Sequence, residues 1–203
     1  MFFSSEPLTA AERQARTEGK QTDLSADWSV SFEDESQPIE MHTLASWVEE
    51  PNRRYYSGRA TYRKAVDVTA EDVRPGHTVA IDFGEGTPVS FPTAPTEFNM
   101  RAYLESPVRE AAQVFVNDQS AGYVWHPPFR VELTPYLKPG KNEIRIVVGN
   151  TAINELAGTS LPNYRLLYAR YGKLFEPQGM RDLQPLPSGI LGHVELIKTG
   201  PAR

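Results

Sequence analysis

The chain contains no cysteine. That single absence removes disulfides, thiol nucleophiles and cysteine-based zinc sites together, although it does not fix a compartment. Histidine is scarce: His42, His77, His126 and His193 stand far apart and form no HxxxH or HExxH spacing, so zinc chemistry is not expected. No run of about 18 apolar residues occurs, and no membrane-spanning helix is expected. The opening "MFFSSEPLTAAERQARTEGK" lacks the apolar core of a signal peptide. That leaves a cytoplasmic chain, or a periplasmic or secreted one whose signal lies outside this sequence. Positive charge is not in excess: 21 Lys and Arg stand against 26 Asp and Glu, no basic patch stands out, and nucleic acid is an unsuitable partner. Neither GxSxG, GxGxxG nor a P-loop occurs, so the chemistries those motifs serve lack their signatures.

Proline (17) and glycine (14) are spread along 203 residues, where they punctuate many turns. That length is enough for one domain with a full core. Residues 1–22 form a polar extension. Within it "LTAAERQARTEG" reads either as a short helix, with Thr9 as N-cap, Glu12 at the capping-box position and Gly19 as stop, or as a frayed terminus. Residues 23–203 read as a single domain. From Asp27 the pattern has period two. Trp28, Val30 and Phe32 share a face, as do Ala60, Tyr62, Lys64 and Val66. So do Val79, Ile81 and Phe83; Val114 and Val116 against Phe115; Phe129, Val131 and Leu133; and Ile144, Ile146 and Val148. "LGHVELIK" closes the series with Leu191, Val194, Leu196 and Ile197. Short alternating strands divided by Pro, Gly and Asn turns predict an all-β sandwich or barrel. "TPYL" suggests a one-turn helix at Thr134 to Leu137. Two long stretches, 84–110 and 151–188, fit no simple hairpin, and long loops are often functional. "NYRLLYARYG" suggests a short helix whose rings at 164, 168, 171 and 175 would pack onto the sandwich.

The order "TYRKAVDV", "VAIDFG", "AAQVFVNDQSAG", "PPFRVELTPYLKPGKNEIRIVV" resembles the galactose-binding-like sugar-binding domain of family 2 glycoside hydrolases. The hairpin reads Val114, Val116, Asn117, Asp118 and Gly122, with Asp118 where that family usually has glycine. The flanks "LASWVEEPNRRYYSGRATY", "WHPPFRVELTPYLKPGKNEIRIVVGNTAINELAG" and "LPSGILGHVEL" are similar to the carboxy-terminal β-sandwich of glycoside hydrolase family 106, the α-L-rhamnosidases. The resemblance spans about Asp23 to Lys198. It implies a galactose-binding-like jelly-roll β-sandwich with short helices in its connections, accompanying a catalytic barrel on another domain. It also implies a glycan partner, rhamnose-containing or another plant or bacterial polysaccharide, and a glycoside hydrolase catalytic domain as a second partner. Such domains often hold a structural calcium through carbonyls and a carboxylate near the last strand, which points to Glu195.

Sugars present apolar C–H faces and a ring of hydroxyls, so aromatic rings beside amides, carboxylates and guanidinium groups suit them. The "WHPP" turn, with Trp125, His126 and Arg130, and the hairpin residues Asn117 and Asp118 provide that mix. Alternatively Trp125 caps the core or meets another domain. "GNTAINELAG" offers Asn150, Asn154 and Glu155 between Gly149 and Gly158, glycines that permit close backbone approach; its asparagines could equally satisfy turn backbone. "SWVEEPNRRYYSG" is a third candidate, in which Trp47 offers a stacking face for a sugar if this stretch meets the WHPP turn in space, while Arg53 and Arg54 are expected to pair with Glu49 and Glu50. Asp118, Glu132, Glu155, Glu176 and Asp182 are available as acids, but none sits in a motif that identifies a hydrolytic pair. The expectation is a non-catalytic carbohydrate-binding or accessory module. A purely structural interaction module and, less simply, a stand-alone hydrolase or lyase are the alternatives.

Overall fold

Alternation gives each strand an apolar and a polar face. The computed structural model describes residues 19–89, 104–160, 163–172 and 183–201, and it stacks two antiparallel sheets on their apolar faces. The strands are β1 (Lys20–Asp23), β2 (Trp28–Phe32), β3 (Ile39–Met41), β4 (Arg59–Val68), β5 (Thr78–Asp82), β6 (Thr87–Pro88) and β7 (Leu104–Glu105). They continue as β8 (Val108–Arg109), β9 (Ala111–Val116), β10 (Gln119–Val124), β11 (Arg130–Glu132), β12 (Gly140–Gly149), β13 (Gly189–Ile190) and β14 (Glu195–Thr199). Two short helices, α1 (Ile153–Gly158) and α2 (Arg165–Tyr171), lie between β12 and β13. One sheet has the order β10-β9-β12-β4-β2-β3 and the other β1-β14-β5-β11. Small ladders join β13 to β8 and β6 to β7. The chain is an all-β sandwich, as the periodicity predicts. Among the described residues no helix is long and apolar enough to cross a membrane.

The central pair is β12 and β4, in register from Gly140 opposite Val68 to Gly149 opposite Arg59. Ile144, Ile146 and Val148 face inward from β12 and meet Val114 and Val116 of β9 and Tyr62 of β4 in one buried cluster. Trp28 and Tyr62 pack edge to face in it, their centroids 6.2 Å apart. Lys64 falls on the same face of β4. It escapes burial of its charge by donating from Nζ to the Ala26 and Asp27 carbonyls at 2.6 and 3.2 Å while its stem lies along Trp28. Thr134–Tyr136 forms the single helical turn read from the sequence.

One edge differs from the sequence reading. Lys20, Gln21 and Thr22, assigned there to the extension, pair with Lys198, Ile197 and Leu196 of β14. All four residues of β1 are exposed, so this strand is held by backbone pairing and leaves no apolar period to read. The helix reading around Thr9 and Glu12 lies outside the described residues.

A buried-edge ion pair ties β14 to the turn after β4. Lys198 Nζ stands 2.8 Å from Asp72 Oδ2, with both side chains largely covered. Burial pushes the Asp72 carboxyl up. Donation from Lys198 and from Thr69 outweighs that and leaves it below the usual carboxylate range. A depressed folded pKa means that stability is present above the unfolded carboxyl value and is lost as pH falls through the folded one. Asp72→Asn is therefore expected to cost about 1 kcal/mol near neutral pH. The cost should fade in acid as the wild-type carboxyl takes up its proton, which urea titrations across that range would read.

A candidate functional site at one end of the sandwich

Strand direction sorts the candidate residues into two ends. β10 and β12 finish, and β9, β4 and β11 begin, at the same end. The Trp125 turn and the 150–158 segment leave the sheets there. The Asn117–Asp118 hairpin does not. It joins the far ends of β9 and β10, and six strand residues at about 3.3 Å each hold it roughly 20 Å away.

The hairpin is structural. Asn117 and Asp118 have φ of 48° and 65°, the left-handed pair that a two-residue turn requires and that Asn and Asp tolerate. Asn117 Nδ2 donates to Asn142 Oδ1 at 2.8 Å and to the Tyr136 carbonyl at 3.1 Å, and its Oδ1 accepts from Glu143 N–H. Asp118 pairs with Arg145. The expected partnership of these two residues with Trp125 is therefore corrected by topology.

The Trp125 turn is open. Trp125 is 48 % exposed, and His126, Pro127 and Pro128 are exposed beside it. The rings of Trp125 and His126 meet edge to face at 4.4 Å, and His126 Nδ1 lies 2.6 Å from the Pro127 carbonyl. Phe129, not Trp125, caps the core. Arg130 opens β11 in register with Asp82.

Trp47 is the reverse case. It is 1 % exposed, so its expected role as a sugar-stacking face is withdrawn. Its ring packs against Phe32 and Tyr56, with centroids 5.3 and 5.7 Å away, and its Nε1 donates to Tyr62 Oη at 2.6 Å. Burial pushes the Tyr62 hydroxyl up to about 12, so it stays protonated. Gly189 closes this pocket: its φ is +96°, and a Cβ there would stand 2.5 Å from Trp47 Nε1. Arg53 does not pair with Glu49 or Glu50. It forks onto Glu35 with contacts of 2.8 to 3.0 Å and lies over the Phe32 ring.

The asparagines after β12 also turn inward. Asn154 is fully buried; its Nδ2 donates to the Leu186 carbonyl and its Oδ1 accepts from Leu186 N–H, both at 2.9 Å. Asn150 Nδ2 donates to the Tyr56 carbonyl at 2.7 Å. Both serve backbone, the alternative weighed for them, and Asn154 is closed to any ligand. Glu155 remains outside, 3.4 Å from Ser57 Oγ. Gly158 packs beneath the Tyr55 ring, whereas nothing stands near Gly149.

Glu195 Oε1 lies 3.1 Å from His193 Nε2, and His193 Nδ1 lies 2.7 Å from Ser25 Oγ. Asp23 accepts from Ser25 N–H; its hydrogen bonds to Ser25, and then the nearby His193, hold its carboxyl below the usual range. Among the described residues no group of three or more His, Cys, Asp or Glu is gathered to hold a metal ion.

Two features had no sequence motif. Helix α2 forms where expected, but it does not pack onto the sandwich: none of its described residues is buried, and Leu166 is 87 % exposed. Phe175, the last ring of the expected stripe, lies outside the described residues, as do Glu176 and Asp182. Among the described residues, Tyr55, Trp125, Leu156, Leu166, Leu167 and Tyr171 are exposed large apolar side chains on segments leaving or entering this end, and Tyr123 near the end of β10 is another. A recess of about 240 Å³ opens between Gly84–Thr87, Glu105–Arg109 and Leu191–His193.

Comparison with known proteins places the fold. No protein-family profile matches the chain. A Formosa agariphila protein, provisionally named a beta-glucuronidase, is 26 % identical over 140 residues, covering 66 % of this chain and 10 % of its own length. The rhamnosidase from Novosphingobium sp. PP1Y superposes with a TM-score of 0.60 at 24 % identity, over 88 % of this chain and 15 % of that one. The Bifidobacterium dentium beta-glucuronidase superposes with a TM-score of 0.55 at 19 % identity, over 90 % of this chain and 30 % of that one. The chain thus has the galactose-binding-like β-sandwich fold found within glycoside hydrolases, and it spans a minor part of each of these proteins.

Proposed function

We propose that the chain is the non-catalytic accessory β-sandwich of a glycoside hydrolase, and that its loop-rich end docks on the catalytic domain. One observation carries the reading: among the described residues, the exposed large apolar side chains belong mainly to segments at one end of the sandwich. Patches of that kind mark interfaces. The small share of each relative that the chain spans supports the same reading, since a larger body accompanies this fold there.

If Leu166 and Leu167 serve an interface, the free fold does not depend on them. Leu166→Ser with Leu167→Ser is expected to shift unfolding free energy by no more than about 0.5 kcal/mol. The free chain is expected to self-associate as its concentration rises, and the double substitution should weaken that association in sedimentation velocity. A substantial loss of stability with unchanged association would contradict the proposal.

Glycan contact is the second reading, favoured by the open Trp125–His126 pair. Rhamnose-containing chains are the first glycans to test, because Trp125 offers a stacking face and His126 a polar edge. Saturable shifts of the Trp125 indole on adding rhamno-oligosaccharide, absent in Trp125→Ala, are the expected result; no shift would leave the turn to docking alone. Purified chain is expected to show no turnover of aryl rhamnosides or glucuronides.

A further inference from the structure

On the six-stranded sheet the buried residues of each strand alternate with residues that turn outward. Register aligns the outward ones in rows. Tyr123 of β10 stands opposite Gln113 of β9, Gln113 opposite Val147 of β12, Val147 opposite Thr61 of β4, and Thr61 opposite Ser31 of β2. Strands spaced about 4.8 Å apart make this row roughly 19 Å long. None of its members is charged. Tyr123, at one end of it, is 66 % exposed. Gln113 Nε2 donates to Tyr123 Oη at 3.2 Å and to Ser120 Oγ at 3.0 Å, so the ring is held by its tip. In the next row Arg145 lies over the Phe115 ring at 3.8 Å and stands 3.4 Å from Asp118, while Arg63 stands 3.9 Å from Glu143. Both arginines thus have a carboxylate beside them.

We infer that this outward row binds a neutral glycan chain laid across the strands, with the Tyr123 ring stacking on a sugar face and the Gln113 carbonyl and the Thr61 and Ser31 hydroxyls bonding its hydroxyl groups. Three points select that ligand. An open aromatic ring already held in place meets an apolar sugar face at little ordering cost. Carbonyl and hydroxyl oxygens accept from sugar hydroxyls, and the protein hydroxyls also donate to them. Charge complementarity favours a neutral chain: the row carries no charge, and the arginines beside it are matched by carboxylates, so nothing draws in an acid. The choice of a sugar rests on the accessory-module reading; the open, uncharged row is a property of the sheet itself.

The test is an amide NMR titration of the whole 203-residue chain with an α-linked L-rhamnose tetrasaccharide, cellotetraose and tetragalacturonate. The expected result is saturable shifts of the Gln113, Tyr123, Val147 and Thr61 amides with a neutral tetrasaccharide, at a Kd of about 1 mM, and weaker binding of the galacturonate. Tyr123→Ala should weaken the neutral chain about tenfold or more, and Gln113→Ala should weaken it several-fold. Tyr123→Phe keeps the ring and should retain most of the affinity, and Trp125→Ala should leave these shifts unchanged. No saturable shift up to about 50 mM would overturn the inference. So would tighter binding of the galacturonate, shifts confined to the Trp125 indole, or binding indifferent to Tyr123→Ala and Gln113→Ala alike. Self-association abolished by Tyr123→Ala, in place of a sugar response, would overturn it too and assign the face to a second copy of the chain. An unresponsive row would leave the docking proposal standing, because docking is read at Leu166 by a separate experiment.

Discussion

Trp47→Ala is expected to destabilise the fold by about 3–5 kcal/mol, whereas Trp125→Ala should change it by no more than about 0.5 kcal/mol. The two tryptophans belong to the same end of the sandwich and were read from the sequence as similar ligand faces. Their surroundings separate them. Trp47 fills a pocket formed by Phe32, Tyr56 and Gly189, and removing it leaves both a cavity and a Tyr62 hydroxyl without its indole donor. Trp125 is 48 % exposed, and its ring meets that of His126 edge to face. Trp47→Phe should recover much of the loss, since it refills volume and gives up only the indole hydrogen bond. Equilibrium urea unfolding of the three variants separates these terms; similar losses for Trp47→Ala and Trp125→Ala would contradict the assignment.

Asn142→Ala is expected to cost about 2–4 kcal/mol. Asn142 is buried at the far end, where its Nδ2 donates to the Lys138 and Gly140 carbonyls at 2.7 and 2.9 Å. Its Oδ1 accepts from Lys138 N–H and from Asn117 Nδ2 at 3.0 and 2.8 Å. Alanine would leave buried donors and acceptors unpaired, which costs more than the bonds contribute net. Because Asn117 and Asn142 share one bond, the double variant should cost clearly less than the sum of the two single ones. Strict additivity would show that the two asparagines act independently, contrary to the network described.

Most of the architecture was legible because it rests on period two. Ile144, Ile146 and Val148 alternate cleanly, and the core is made of such rows. What eluded the sequence was whatever has no period. β1 is all polar and exposed, and it pairs with β14 through its backbone. Trp47 and Trp125 are the same letter, and only tertiary packing distinguishes them. The Asn117–Asp118 hairpin is legible in the sequence, but its distance from Trp125 follows from strand direction, which spacing along the chain does not reveal. Asn154 looked like a ligand residue because a buried, doubly bonded amide and an exposed one share a sequence. The recess around Arg109 draws on three separate loops, and so no contiguous motif announces it.

The docking claim is tested most directly by photo-crosslinking in the source organism, with a photoreactive phenylalanine placed at Leu166 and, as a control, at Asp118 on the opposite end. The account predicts a crosslink from the Leu166 position to a glycoside hydrolase catalytic domain, in the same polypeptide or a partner, and none from Asp118. Crosslinks from Leu166 only to unrelated proteins, or equal crosslinking from both positions, would contradict it.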